Sequence, residues 1–190
     1  MIPVQFKNTI MSGIVIYQSK YGATRDYAGW ISDEIQLPVV DIHQIKKEVI
    51  ETADFFVIGS SVYIGKLLIK NWLKKNEDWL QRKKIFLFVV CGTPANEMKK
   101  LESYINTSVS AELKDKCDIY FLPAKMCVQK LSFFDRFMLK MGARLAKDKK
   151  VSRQMLTDYN AVRNENLLPI LSAIVKFNSN KIRTKAMQAV

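Results

Sequence analysis

The chain has 190 residues, 48% of them hydrophobic, and a net charge of +12. That length and composition suit one globular domain with a sizeable core, and no window reaches the ~18 consecutive apolar residues needed for a membrane-spanning helix. A single histidine, His43, and three cysteines without a CxxC spacing (Cys91, Cys117, Cys127) argue against a metal centre and for reduced thiols in a cytoplasmic protein.

The first ten residues carry one lysine and no apolar block, so a secretory signal is not expected. Residues 1–11 read as a leader without fixed structure, with Met11 as an alternative start to Met1. From Gly13 to Tyr17 (GIVIY) a continuous apolar run has the pattern of a strand buried on both faces. Helical spacing follows from Thr24 to Gln36, with Tyr27, Ala28, Ile31 and Ile35 on one side. Short strands are expected at residues 39–42 and 54–59, the latter followed by a loop, Ser60 to Gly65. Lys66 to Leu80 reads as a helix, and Lys84 to Cys91 as the longest strand, closed by Gly92-Thr93-Pro94. A helix over Ala95–Leu113 and a fifth strand over Asp118–Leu122 complete the alternation. Strands separated by helices predict an α/β fold with a doubly wound, five-stranded parallel sheet. The domain is expected over residues 12–175, with an insertion at about 125–154, a last helix near Met155–Val175 and a basic tail at 176–190.

The first strand ends in Gln18-Ser19-Lys20-Tyr21-Gly22-Ala23-Thr24. In an open parallel sheet, ligands bind beyond the carboxyl ends of the strands, and a helix start offers free N–H groups to an anion. Ser19 and Thr24 add hydroxyls, Gly22 permits close backbone approach, and Lys20 and Arg25 raise the local potential. A phosphate monoester would be held here mostly by neutral hydrogen-bond donors, unlike in the Walker pattern or the three-glycine dinucleotide fingerprint, neither of which is present. A helix cap that binds nothing is the competing account.

Val15 to Ile31 resembles the flavodoxin signature: an aliphatic pair, Tyr17, Ser19, Gly22, Thr24, Ala28 and Ile31 at fixed spacing. The resemblance implies the sheet order 2-1-3-4-5 and flavin mononucleotide (FMN) as cofactor. It places Ser19, Lys20, Tyr21, Gly22, Ala23 and Thr24 at the phosphate. Two further loops would flank the ring: Ser60, Ser61, Val62, Tyr63, Ile64 and Gly65, then Cys91, Gly92 and Thr93. Tyr63 is either a stacking residue or a surface aromatic. Cys91 reads as a small strand-end residue rather than a redox thiol, and His43 as a loop residue without a catalytic part.

The positive charge is uneven: residues 1–124 balance at +2 and residues 125–190 at +10. Either a solvated face or an anionic partner accounts for this. Leu131 to Lys147 has Phe134, Phe137, Met138, Met141 and Leu145 on one helical side and Arg136, Lys140, Arg144 and Lys147 opposite. Its Phe133–Met141 stretch resembles the inserted segment of the flavodoxin-type, menaquinone-dependent protoporphyrinogen oxidases. That resemblance implies an FMN-dependent oxidoreductase passing electrons from a small molecule to a quinone. The alternative is a flavodoxin-type electron carrier serving a redox protein partner. Phe134, Arg136, Phe137, Lys140 and Arg144 are the expected contacts with substrate or with an anionic membrane at its inner face, through residues 131–150. Plain core packing with a solvated basic face is the competing account of the same helix. Nothing in the chain resembles a nucleic-acid-binding surface.

Overall fold

The computed structural model describes residues 12–146 and 148–188; the expected leader, residues 1–11, lies outside them. Five parallel strands form the sheet: β1 (Gly13–Gln18), β2 (Val39–Asp41), β3 (Phe55–Tyr63), β5 (Lys84–Cys91) and β6 (Cys117–Pro123). Their order is β2-β1-β3-β5-β6, the 2-1-3-4-5 arrangement expected when sheet strands alone are counted. A two-residue strand, β4 (Lys66–Leu67), pairs antiparallel with the end of β3.

The apolar runs become strands because both faces of the sheet are covered. Along β5, Ile85, Leu87 and Val89 face one cluster, while Phe86, Phe88 and Val90 face the other. The first cluster packs against α2 (Lys47–Thr52), α3 (Lys70–Lys75), α4 (Glu77–Leu80), α5 (Met98–Ser108) and α6 (Ala111–Lys114), through residues such as Ile50, Leu73, Leu80, Ile105 and Leu113. The second packs against α1 (Ala23–Ile35) and α9 (Leu168–Gln188) through Tyr27, Ile31, Ile170 and Ile174. Each fully buried Leu, Ile or Phe contributes roughly 1.5–3 kcal/mol by leaving water.

On the second face, two glycines sit opposite aromatic rings. Gly13 pairs with Phe55 and Gly59 with Phe88 across adjacent strands. A Cβ at Gly59 would lie 2.1 Å from Phe88 Cζ, so the ring covers the glycine directly.

Several helix boundaries differ from the sequence expectation. The expected Lys66–Leu80 helix is β4 followed by two short helices that meet at Asn76. The Ala95–Leu113 helix is split, because Ser110 caps α6 by accepting from the Leu113 amide. The last helix begins at Leu168 and contains residues 176–188, which the sequence pattern assigned to a tail.

Between β6 and α9 the chain forms a hairpin and two helices. Strand β7 (Lys125–Met126) pairs antiparallel with β8 (Tyr159–Asn160), and the Ala161 amide donates to Ala124 O at 3.2 Å. Between these strands lie α7 (Phe133–Leu145) and α8 (Lys149–Met155), which pack together where Gly142 meets Met155. Tyr27 bolts the base of this segment to α1: its hydroxyl donates to Pro123 O (3.0 Å) and accepts from Asn166 Nδ2 (2.8 Å).

Candidate functional site

The site follows from where β1 stops. β1 lies between β2 and β3, so the chain direction of the winding reverses at its carboxyl end, where a crevice opens. Gly22 caps α1 with φ at 90°, a conformation that costs a side chain about 1–2 kcal/mol and glycine little. Its amide donates to Ser19 Oγ (3.1 Å), folding the loop back on itself. Asp26 is the first residue of α1 to donate within the helix, to Gly22 O at 2.9 Å. The amides of Ala23, Thr24 and Arg25 therefore take no intrahelical acceptor, the donor set that a helix start offers to an anion. Thr24, fully buried, shares a 2.8 Å hydrogen bond with Ser61 Oγ, tying the loop to β3. The side-chain oxygen of Gln18 is buried beside this loop without a protein donor.

The expected loop from Ser60 to Gly65 is mostly strand. β3 continues through Tyr63, and only Ile64 (φ 46°) and Gly65 (φ 72°) turn the chain into β4. Two positive φ angles form the tight turn that matches strand twist. A β-branched residue in that region is strained, and Ile64 is largely exposed at the rim of the crevice. Ser60 is committed to the fold, its hydroxyl accepting from the Ile69 amide and donating to Ser61 O. Thr93 likewise turns away from the crevice, to a 2.9 Å contact with Tyr104 Oη.

The crevice encloses about 310 Å³, within the range of small-ligand pockets. Of the residues named from the sequence, Lys20, Tyr21, Ala23, Ser61, Val62, Tyr63, Ile64, Cys91 and Gly92 line it. Ser19, Gly22, Thr24, Ser60, Gly65 and Thr93 are not among its lining residues. Val90 and Ala124 add to the sheet side, and the outer wall comes from the segment between β6 and α9, through Lys125, Met126, Leu131, Asp135, Met138, Leu139 and Tyr159. Sequence reasoning placed none of these as cofactor contacts. Asp135 carried one legible signal, being the only acidic residue between Leu131 and Lys147. Tyr159 carried none; its hydroxyl lies over Gly92, where a Cβ would come within 2.3 Å of it. Burial raises the pKa of Tyr159, and the neighbouring Cys91 adds to that.

Asp135 organises the polar side of the crevice. It is 9% exposed and accepts hydrogen bonds from Tyr21 Oη, from Tyr63 Oη (2.6 Å) and from Lys20 Nζ (2.7 Å). Burial alone would raise its pKa, but the bonds from Lys20, Tyr21 and Tyr63 outweigh it and hold the carboxyl at about 2. The Lys20 ammonium also lies 3.5 Å from the centre of the Tyr63 ring, so a cation covers one face of that aromatic. Lys125 is tied to Asp26 at the opposite rim.

Helix α7 is oriented against its own pattern. Phe133 is 87% exposed and Leu145 79%, and Phe134, Phe137, Met138 and Met141 are also exposed, whereas the buried residues are Asp135 and Ala143. Arg136 donates to the carbonyls of Gln129 (2.8 Å) and Leu131 (3.3 Å), holding the turn before the helix. Lys140 and Arg144 are exposed, away from the crevice lining. Phe134, Phe137, Lys140 and Arg144 thus lie on an open surface next to the site.

Residues 14–153 match the family described as flavodoxin domain. The chain belongs to that family. No curated protein matches the sequence significantly. Among solved structures, this flavodoxin domain is similar to a flavodoxin from the domain Archaea, with 17% identity, 76% of this chain and 93% of the other covered, and a TM-score of 0.41. A WrbA-like flavodoxin from Agrobacterium tumefaciens shows 16% identity over 75% and 98% of the two chains, with a TM-score of 0.41. A flavoprotein from Lactobacillus acidophilus, solved in complex with FMN, shows 16% identity over 58% and 91%, with a TM-score of 0.42. At such identities and scores these likenesses carry no information on chemistry, and the family assignment rests on the sequence match. Among the described residues of this flavodoxin domain, no group of histidines, cysteines and carboxylates is arranged to hold a metal.

Proposed function

We propose that the protein is an FMN-dependent oxidoreductase that holds the cofactor phosphate in the Ser19–Thr24 loop at the head of α1. The observation that carries this reading is the glycine-capped helix start, with three amides free of intrahelical acceptors, at the reversal point of a flavodoxin-domain sheet. The donor set fits FMN: amides and hydroxyls suit a phosphate, the partnerless oxygen of Gln18 suits a ribityl hydroxyl, and Val62, Ile64 and Tyr159 suit an apolar ring edge. Bound there, FMN supplies the electron transfer, and the chain supplies position, shielding and electrostatics.

The finer reading is an activity like that of the menaquinone-dependent protoporphyrinogen oxidases. Its support is the resemblance in Phe133–Met141, together with the exposed aromatic side of α7 and the basic residues around it. A flat apolar substrate bearing carboxylates suits a crevice with apolar walls and Lys20 and Lys125 at its rim. The same surface suits peripheral contact of a cytoplasmic protein with an anionic membrane, where each nearby Lys or Arg contributes about 1 kcal/mol. Among the described residues no helix is long and apolar enough to cross a membrane.

The test has two stages. Titration with FMN, followed by its visible spectrum and fluorescence quenching, should give a tight one-to-one complex; no binding by the folded protein refutes the reading. The fully loaded protein should then convert protoporphyrinogen to the porphyrin with a quinone as acceptor. No turnover, with reduction by a flavodoxin reductase instead, would replace the substrate assignment with an electron carrier serving a protein partner.

A further inference from the structure

A helix normally seats itself by burying its apolar side. α7 does not: its phenylalanines face outward, and only Asp135 and Ala143 are buried. Its attachment is instead polar and local. Asp135 receives Lys20, Tyr21 and Tyr63, while the Ser132 amide donates to Tyr21 Oη (3.2 Å). Ser132 Oγ in turn caps α7 by accepting from the Asp135 amide (3.1 Å), which fixes the carboxylate's position at the head of the helix. All three of Asp135's partners come from the loops assigned to FMN.

We propose that Asp135 is a positioning residue that latches α7 to the phosphate loop through Lys20, so that an anion at the head of α1 and the docked helix compete for one ammonium group. The inference rests on the reading of Ser19–Thr24 as a phosphate loop. An arriving phosphate attracts Lys20 and repels the Asp135 carboxylate. Once the ammonium turns toward the phosphate, Asp135 is left as a buried charge held by two tyrosine hydroxyls, which is an unfavourable state. The apolar contact that remains along α7 is Ala143, the Gly142–Met155 meeting with α8, and Met138 and Leu139 at the crevice. Linkage makes the effect mutual: loading the loop loosens α7, and loosening α7 tightens the loop's hold on phosphate. The protein with its site filled therefore carries a freer helix, with the aromatic face available to a partner.

The experiment follows amide hydrogen exchange across α7 in the full chain, alone, with FMN and with inorganic phosphate, alongside binding measurements. In the free protein, Asp135→Asn should speed exchange in α7 and tighten phosphate and FMN binding by roughly fivefold, the low end of usual coupling energies. In the wild type, either ligand should speed exchange in α7. Ser132→Ala leaves every charge in place but weakens the cap, so it too should tighten phosphate binding. Greater protection of α7 on ligand binding, or weaker binding by Asp135→Asn, would overturn the competition. Tighter binding by Asp135→Asn without any change in Ser132→Ala would make Asp135 a nearby charge and not a latch. Phosphate competition without FMN binding overturns the flavin assignment alone, whereas normal FMN binding with unchanged α7 exchange overturns the latch alone.

Discussion

Gly59 offers a stringent test of the packing, because one added methyl group meets a fully buried ring. Its Cβ would lie 2.1, 2.5 and 2.7 Å from three atoms of the Phe88 ring, which is fully buried between β3, β5 and the α1/α9 layer. Ordinary carbon contacts lie near 3.5–4.0 Å, so Gly59→Ala requires the ring or the central strand to move by about 1.5 Å. Interiors at crystal-like density accommodate this poorly, and overpacking costs typically reach about 3 kcal/mol. For a chain of this size that lowers Tm by about 6–12 °C. Urea denaturation of Gly59→Ala, Phe88→Leu and the double variant measures it. The smaller side chain in Phe88→Leu should make room, so the double variant should be at least 1 kcal/mol more stable than the two single costs added together. If Gly59→Ala cost under 0.5 kcal/mol, or if the two changes were simply additive, the ring-over-glycine account of this face would be wrong.

The Asp135 carboxyl, lowered from 3.8 to about 2, contributes stability that is complete above pH 4 and is lost as pH falls toward 2. Asp135→Asn should therefore be less stable than wild type by about 1–2 kcal/mol at pH 7, after allowance for the open side of Lys20, and the gap should close by pH 2 in denaturation at graded pH. Phe137→Ser, at a half-exposed position, should change stability by under about 0.5 kcal/mol while reducing binding to anionic vesicles in a flotation assay. Burial pushes the Cys117 thiol up to about 12, so in the folded protein it should resist iodoacetamide at pH 8.5 and react on unfolding, as read by mass spectrometry.

The sheet was legible because its central strands β1, β3 and β5 are buried on both sides and appear as apolar runs, from GIVIY at β1 to KIFLFVVC at β5. The strand–glycine–helix turn at the head of α1 was legible for a related reason: its parts follow one another within a dozen residues. Short elements were not. β4 has two residues and no period to detect, and the break between α5 and α6 depends on one serine choosing to cap. Spacing marked the apolar side of α7 correctly but could not tell which side faces the protein. That was decided by Asp135, whose tyrosine partners lie 72 and 114 residues away in sequence. Tyr159 reaches the crevice only because β8 pairs with β7, a contact without a local signature.

The hairpin at the base of the inserted segment has a consequence for how such a protein changes over time. The chain leaves the sheet at Ala124 and comes back beside that point at Ala161, where it turns toward α9, and those two residues are hydrogen-bonded to each other. Everything between them is an excursion whose two ends already meet. Shortening, lengthening or exchanging residues 125–160 asks only that a gap one hydrogen bond wide be closed again, and leaves strand order and both core layers unchanged. The piece that gives the crevice its outer wall is thus modular, free to be rewritten while the sheet and helices beneath it stay as they are.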